Sequence, residues 1–212
     1  MGLHWPVRLA LSCKVVGLAV LWSVVPALAD ENKIPAAVLS PADAGGAELV
    51  DLFVDFCLNR FPAAASLDEG AAERKATAMT ADQARRYLHA NPGRGWIVNT
   101  ALATYMVTIE DPPSQTCVIR NRYAAALKIQ PAYQLAVKSW AATNKIGPVL
   151  DERPKPHTDI GLDISAMMTT VPDAAGRPLR HFIVLTTTYP DGKVEIQAVH
   201  QLLPAPRNGV TP

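Results

Sequence analysis

Residues 49–62, LVDLFVDFCLNRFP, have the pattern of a helix that is apolar around almost its whole circumference. Leu49, Phe53, Phe56 and Phe61 are its large apolar residues. Asp51, Asp55 and Asn59, spaced i, i+4, i+8, form its one polar line. Such a helix has to be covered on most sides, so the rest of the chain must supply a layer broad enough to enclose it. Cys57 sits within the apolar part.

The start of the chain bears on what that cysteine can do. Within MGLHWPVRLALSCKVVGLAVLWSVVPALA the only charges are Arg8 and Lys14. An apolar run, Val15 to Val25, follows them, then Pro26 and the small-x-small pattern Ala27-Leu28-Ala29. The run is shorter than the roughly 20 residues a membrane span requires. Cys13 precedes the run, which argues against a lipoprotein. The sequence therefore predicts a cleaved signal peptide over 1–29, a mature chain from Asp30, a periplasmic or secreted location and no stable membrane span after cleavage. Cleavage changes the formal net charge from +1 to −1. A near-neutral chain with no basic stripe lacks the footprint of a nucleic-acid binder.

Cys57 and Cys117 are the cysteines left in that oxidising compartment, and they are expected to pair. Closing a loop of that length stabilises by about 4 kcal/mol in the chain-entropy model. A nucleophilic Cys57 is disfavoured. It stands late in its helix, where the dipole raises a thiol pKa, and no histidine lies within thirty residues.

Ser40-Pro41 and Asp43 open the first helix and Phe61-Pro62 closes it. A second helical region spans about 68–90, with a capping box at Thr80-Ala81-Asp82-Gln83 that marks a break near Met79. Asn91-Pro92-Gly93-Arg94-Gly95 stops it, and strand character runs from Trp96 to Ile109. Asp111-Pro112-Pro113-Ser114 turns the chain into the Cys117 strand. A helix follows from Ile129-Gln130-Pro131 to Gly147-Pro148, with Tyr133, Val137, Trp140 and Ala141 on one face.

Alternation from Ile160 then puts Ile160, Leu162, Ile164, Ala166 and Met168 on the expected buried face. The last two strands, RHFIVLTTTY and KVEIQAVHQLL, are joined at Pro190-Asp191-Gly192. The expectation is one α+β domain over 30–203 and a flexible tail over 204–212. Helices pack on a curved antiparallel sheet of about five strands in the order α-α-β-β-α-β-β-β. That order is similar to the nuclear transport factor 2-like fold, in which a curved sheet and its helices enclose a cone-shaped pocket. Fold likeness of this kind carries little about function.

Candidates for chemistry are scattered. Asp51 and Asp55 are paired carboxylates that read best as the wet side of a buried helix. The three-residue turn makes Tyr189 oppose Lys193, so His200 falls opposite Phe182 and His181 opposite Gln201. His181 and His200 then face opposite sides of the sheet and cannot share an ion. His200 is placed beside Phe182, Val184, Ile196 and Ala198 as a hydrogen-bonded core-edge histidine. His157, Asp159 and Asp163 fall on one side of one extended segment, too widely spaced for one small ion.

Arg94 and Trp96 suggest a ligand-stacking platform with Arg120 and Arg122. Motifs for serine hydrolases, zinc proteases, nucleotide enzymes and thiol oxidoreductases are missing from the sequence. No cofactor and no metal is expected. The reading is a non-catalytic binding or accessory module for an envelope protein or a small ligand, met at the polar strand positions Asp159, Asp163, Glu195 and Gln197. Its alternative is a small periplasmic hydrolase or isomerase using His157, Asp159, Asp163 or His200 as acid–base groups.

Overall fold

The computed structural model describes residues 41–89, 91–124, 129–147, 149–154, 156–159, 161–172 and 178–203, all within the compact unit Val38–Pro212. The expected signal peptide, its cleavage site and the tail over 204–212 lie outside the described residues.

The apolar stretch forms one continuous helical rod with two windings. Helix α1 (Pro41–Leu52) runs into a π-helix over Phe53–Arg60, whose wider turn is seen where the Phe61 N–H donates to the Phe56 carbonyl at 2.9 Å. Phe53, Phe56, Cys57 and Leu58 are buried. Its polar line is bridged rather than merely wet. Asp55 accepts from Arg60 at 2.7 Å and from Arg74 at 3.0 Å, and Arg74 also reaches Asp51 at 2.9 Å. The bond to Asp55 is the main reason the Arg60 guanidinium holds its proton even more firmly than usual.

The second helical region breaks where the capping box stands, giving α2 (Ala64–Glu73) and α3 (Ala81–Leu88) with strand β1 (Thr77–Ala78) between them. The Thr80 hydroxyl accepts from the Gln83 N–H at 3.2 Å and the Gln83 side chain accepts from the Thr80 N–H at 2.9 Å.

The remaining elements are β2 (Gly93–Asn99), β3 (Thr104–Glu110), β4 (Thr116–Ala124), α4 (Gln130–Thr143), β5 (Leu150–Glu152), β6 (His157–Asp159), β7 (Leu162–Pro172), β8 (Pro178–Thr188) and β9 (Val194–Leu202). The fold is α+β, and the strands form one antiparallel sheet in the order β1-β2-β3-β4-β9-β8-β7-β5, with β6 also paired to β7. The sheet therefore has nine strands among the described residues, where about five are expected from the sequence. The stretch from Trp96 to Ile109, expected as a single strand, is a hairpin. Its turn is built by Thr100, whose hydroxyl accepts from the N–H groups of Leu102 and Ala103 at 3.2 and 3.1 Å. The others missed, β1, β5 and β6, have only two or three residues each and show no periodicity to read.

One sheet face receives the rod and α4. Trp96, Tyr105, Val107, Ile119, Phe182, Val184, Ile196 and Ala198 pack there against Phe53, Phe56, Tyr133 and Val137. Among the described residues, these side chains make up the layer between the helices and the sheet. The Tyr133 hydroxyl, fully buried, donates to the Val199 carbonyl at 3.0 Å. The rod is covalently fixed to the sheet: Cys57 and Cys117 are disulfide-bonded, with Cα atoms 5.5 Å apart.

In β7 the core takes the phase opposite to the expected one. Met167, Thr169 and Val171 are buried, while Leu162, Ile164, Ala166 and Met168 look outward, half-buried. Pairing with β8 decides this, because Met167 stands opposite the core residue Val184 and Thr169 opposite Phe182. A methionine stands on each side of the strand at this point, so the apolar pattern alone cannot fix the phase.

Candidate functional site

The terminal hairpin has the expected register: Phe182 pairs with His200, His181 with Gln201, and the Tyr189 N–H donates to the Lys193 carbonyl at 2.8 Å. His181 and His200 are on opposite faces. His200 is wholly buried, stacked on Phe182 at 4.4 Å between ring centroids and edge-on to Phe61 and Trp140.

The partners of His200 fix its tautomer. Nδ1 lies 2.6 Å from the Cys57 carbonyl, which can only accept, so Nδ1 carries the hydrogen. Nε2 lies 3.2 Å from Arg180 Nη1, which can only donate, so Nε2 accepts. Burial, with Arg180 adding to it, pushes the imidazole pKa down to about 4 against the pull of the Cys57 carbonyl. Both ring nitrogens are committed, and no acid–base role is left to them in this arrangement.

The His157–Asp159–Asp163 segment is not one extended strand. It folds back at Gly161, which has φ +75°, so β6 lies antiparallel to β7 with Thr158 opposite Asp163 and Asp159 opposite Leu162. Asp163 and Asp159 therefore point to opposite faces. The Thr158 hydroxyl donates to Asp163 at 2.8 Å beside a shallow hollow of about 210 Å³. His157 has only its register position, opposite Ile164; its side chain lies outside the described residues. Asp163 and Glu195 are also on opposite faces, because Asp163 is in line with Thr188 and Glu195 with Thr187. The polar strand positions do not make one surface.

The arginine platform is divided as well. Trp96 pairs through Val107 to Ile119, so Arg94 and Trp96 face the core while Arg120 faces away. The Arg94 guanidinium lies over the Trp96 ring at 5.4 Å and is held by Asp68 at 3.1 Å. Arg122 stands opposite Glu195 in the ladder, and its side chain lies outside the described residues.

The outer face carries a different constellation around Arg120. Gln197 is its partner on β9, and Glu195 follows two positions away on the same side. Arg120 and Glu195 are only 7% and 6% exposed, which buried charges tolerate only with partners. Arg120 donates to the Tyr87 carbonyl from both terminal nitrogens at 3.4 Å, and its guanidinium lies 5.4 Å from the Tyr87 ring centre. Glu195 accepts from Gln197 at 2.8 Å and from the Tyr189 hydroxyl at 3.2 Å. With Arg86 and His89 from the end of α3, these residues line a cleft of about 310 Å³ between α3 and the β8–β9 turn.

Its equipment is charge, amide and phenol hydrogen bonding and two aromatic rings, which suits recognition. Sequence reasoning reached Arg120, Glu195 and Gln197 singly. It missed the site because Tyr87 and Arg86 come from a helix whose crossing over the outer face has no sequence signature. Among the described residues no three His, Cys, Asp or Glu side chains are grouped to hold a metal ion. None of their helices is long and apolar enough to cross a membrane. Comparison with protein-family models, with curated proteins and with solved structures yields no match.

Proposed function

We propose that this chain is an exported, envelope-resident binding or accessory protein that acts by contact rather than by catalysis, and that the cleft around Arg120 is its contact site. The observation that carries this reading is the pair of nearly buried opposite charges, Arg120 and Glu195, on the floor of a cleft facing away from the core. Keeping two charges there is costly, and the core packing does not require them. The acid–base candidates support the same reading by their dispersal: His200 is locked in the core and Asp159 and Asp163 diverge. Export itself rests on the leader pattern over 1–29, and the Cys57–Cys117 bond suits an oxidising compartment.

A panel of hydrolase and isomerase substrates, run on protein purified after export, tests the proposal. No turnover is expected. Turnover that disappears in Asp163→Ala or His200→Ala while the fold survives would replace the contact reading with an enzymatic one. N-terminal sequencing of the same material should return Asp30, and recovery of Met1 would refute processing.

A further inference from the structure

We infer that the Arg120 cleft takes a small planar carboxylate, an aromatic monoacid, seated between Tyr87 and Tyr189 with its carboxylate on Arg86. The inference rests on the contact reading above and adds the ligand's chemistry to it.

Charge gives the sign. On the floor of the cleft Arg120 and Glu195 carry opposite charges, and both Glu195 oxygens already accept, from Gln197 and Tyr189. Arg86 on the rim adds a positive charge that no described acidic side chain balances, since Asp82 on the same helix is paired with Arg85 at 3.4 Å. A cation on the rim calls for an anionic group on the ligand. A guanidinium fork matches the two oxygens of a carboxylate with parallel hydrogen bonds.

Shape gives the rest. The cleft, about 310 Å³, is at the small end of ligand sites, so a molecule of one ring and one acid group is the scale that fits. Two of the lining residues, Tyr87 and Tyr189, are aromatic, which favours a flat π-system over an aliphatic chain. A cation would meet the surplus charge of Arg86. Inorganic phosphate has no flat face to lie against an aromatic ring.

The test titrates the 15N-labelled protein with sodium benzoate, benzylamine and inorganic phosphate at fixed ionic strength, following backbone amides by NMR. Benzoate should give saturable shifts at Tyr87, Arg120, Tyr189 and Gln197 with a Kd on the order of 1 mM, as for an efficient fragment. Arg86→Gln, an exposed change with an unaltered thermal midpoint, should weaken it about tenfold, and Arg86→Lys should weaken it less. Equal binding of benzylamine or phosphate at these amides would overturn the carboxylate while leaving the cleft as the contact site. Benzoate shifts that are absent, or indifferent to Arg86→Gln, would overturn it too. Turnover in the substrate panel is the separate result that removes the contact reading beneath it.

Discussion

His200 Nδ1 donates to the Cys57 carbonyl at 2.6 Å, across 143 residues of sequence, beside the bond that joins Cys57 to Cys117. The winding of the rod explains why that carbonyl needs a donor from elsewhere. In a π-helix the carbonyl of residue 57 would accept from the N–H of residue 62, and residue 62 is proline. The N–H of Phe61, which an α-helical turn would offer, is already given to Phe56. The imidazole therefore completes a buried backbone group that the rod cannot satisfy by itself. Because Cys117 stands opposite His200 in the ladder, the covalent and hydrogen-bonded ties meet at the same point of the sheet.

This geometry makes stability fall with acid. His200 is held at a pKa of about 4 when folded, against the ordinary 6.5 when unfolded, so the unfolded chain binds the extra proton first. The contribution is intact above pH 6.5 and is lost as pH falls through that value toward 4, reaching about 3 kcal/mol in full and about 2 kcal/mol by pH 5. Urea unfolding of wild type and His200→Asn at pH 7.5 and pH 5 should show their difference shrinking by that amount. A difference independent of pH would remove His200 as the titrating group.

The disulfide should behave as a single unit. Cys57→Ala is expected to cost about 4 kcal/mol, and adding Cys117→Ala should cost little more, because the bridge is lost only once. Since both cysteines are fully buried, mild reductant should leave the folded protein unalkylated, and denaturant should be needed to expose them. Intact mass under non-reducing conditions checks the bond directly. Two thiols alkylated without denaturant would contradict the structure.

What could be read from the sequence was whatever had a local cause. The Pro190-Asp191-Gly192 turn is legible because Gly192 takes φ +79° and Asp191 accepts from the Lys193 N–H at 3.1 Å, and from that turn the whole β8–β9 register follows. The capping box at Thr80 is legible for the same reason, whereas the Cys57–Cys117 pairing is reached by elimination, as the two cysteines expected to remain after the leader. The phase of β7 is not, since its apolar residues are adjacent and its partner strand decides which side is covered. The cleft is not either: Arg120, Glu195 and Tyr87 come from three separate elements, and only the path of α3 brings them together. The hairpin between β2 and β3 is the sharpest loss, because its turn contains neither glycine nor proline.

That turn is closed by the Thr100 N–H, which donates to the Ala103 carbonyl at 2.9 Å, and braced by one hydroxyl, which gives it a clean test. Thr100 Oγ1 accepts from Leu102 and Ala103 and lies 2.8 Å from Glu48, which also accepts from the Tyr105 hydroxyl at 2.7 Å. Burial, and then Glu48, push the Tyr105 pKa upward, so this phenol stays a donor at any ordinary pH. Thr100→Val keeps the shape and removes the hydroxyl. It should cost about 1–3 kcal/mol, with amide exchange at Leu102 and Ala103 accelerated ahead of the rest of the sheet. Thr104→Val, which removes a single exposed bond to Asn99, should stay within about 0.5 kcal/mol.

Gly95 sets how closely the outer layer can sit on the sheet. Its carbonyl accepts from the Met79 N–H at 2.8 Å at the approach to α3. A Cβ placed on Gly95 would stand 2.8 Å from both the Val107 carbonyl oxygen and the Met79 sulfur. The sulfur can move aside, but the carbonyl belongs to the β2–β3 ladder and cannot move without disturbing it. Gly95→Ala should therefore destabilise by about 1–3 kcal/mol, the usual cost of overpacking, although alanine is otherwise the better residue in an ordered element. Gly147→Ala, whose new methyl would meet only the Pro172 carbonyl at 4.0 Å, should be close to neutral. Hydrogen exchange separates local from global loss. If the layer contact is the cause, protection should fall first at β1 and α3, while Phe56 and Cys57 in the rod keep theirs. Gly95→Ala as stable as wild type, with β1 and α3 equally protected, would mean that the sheet edge tolerates a wider spacing than this contact allows.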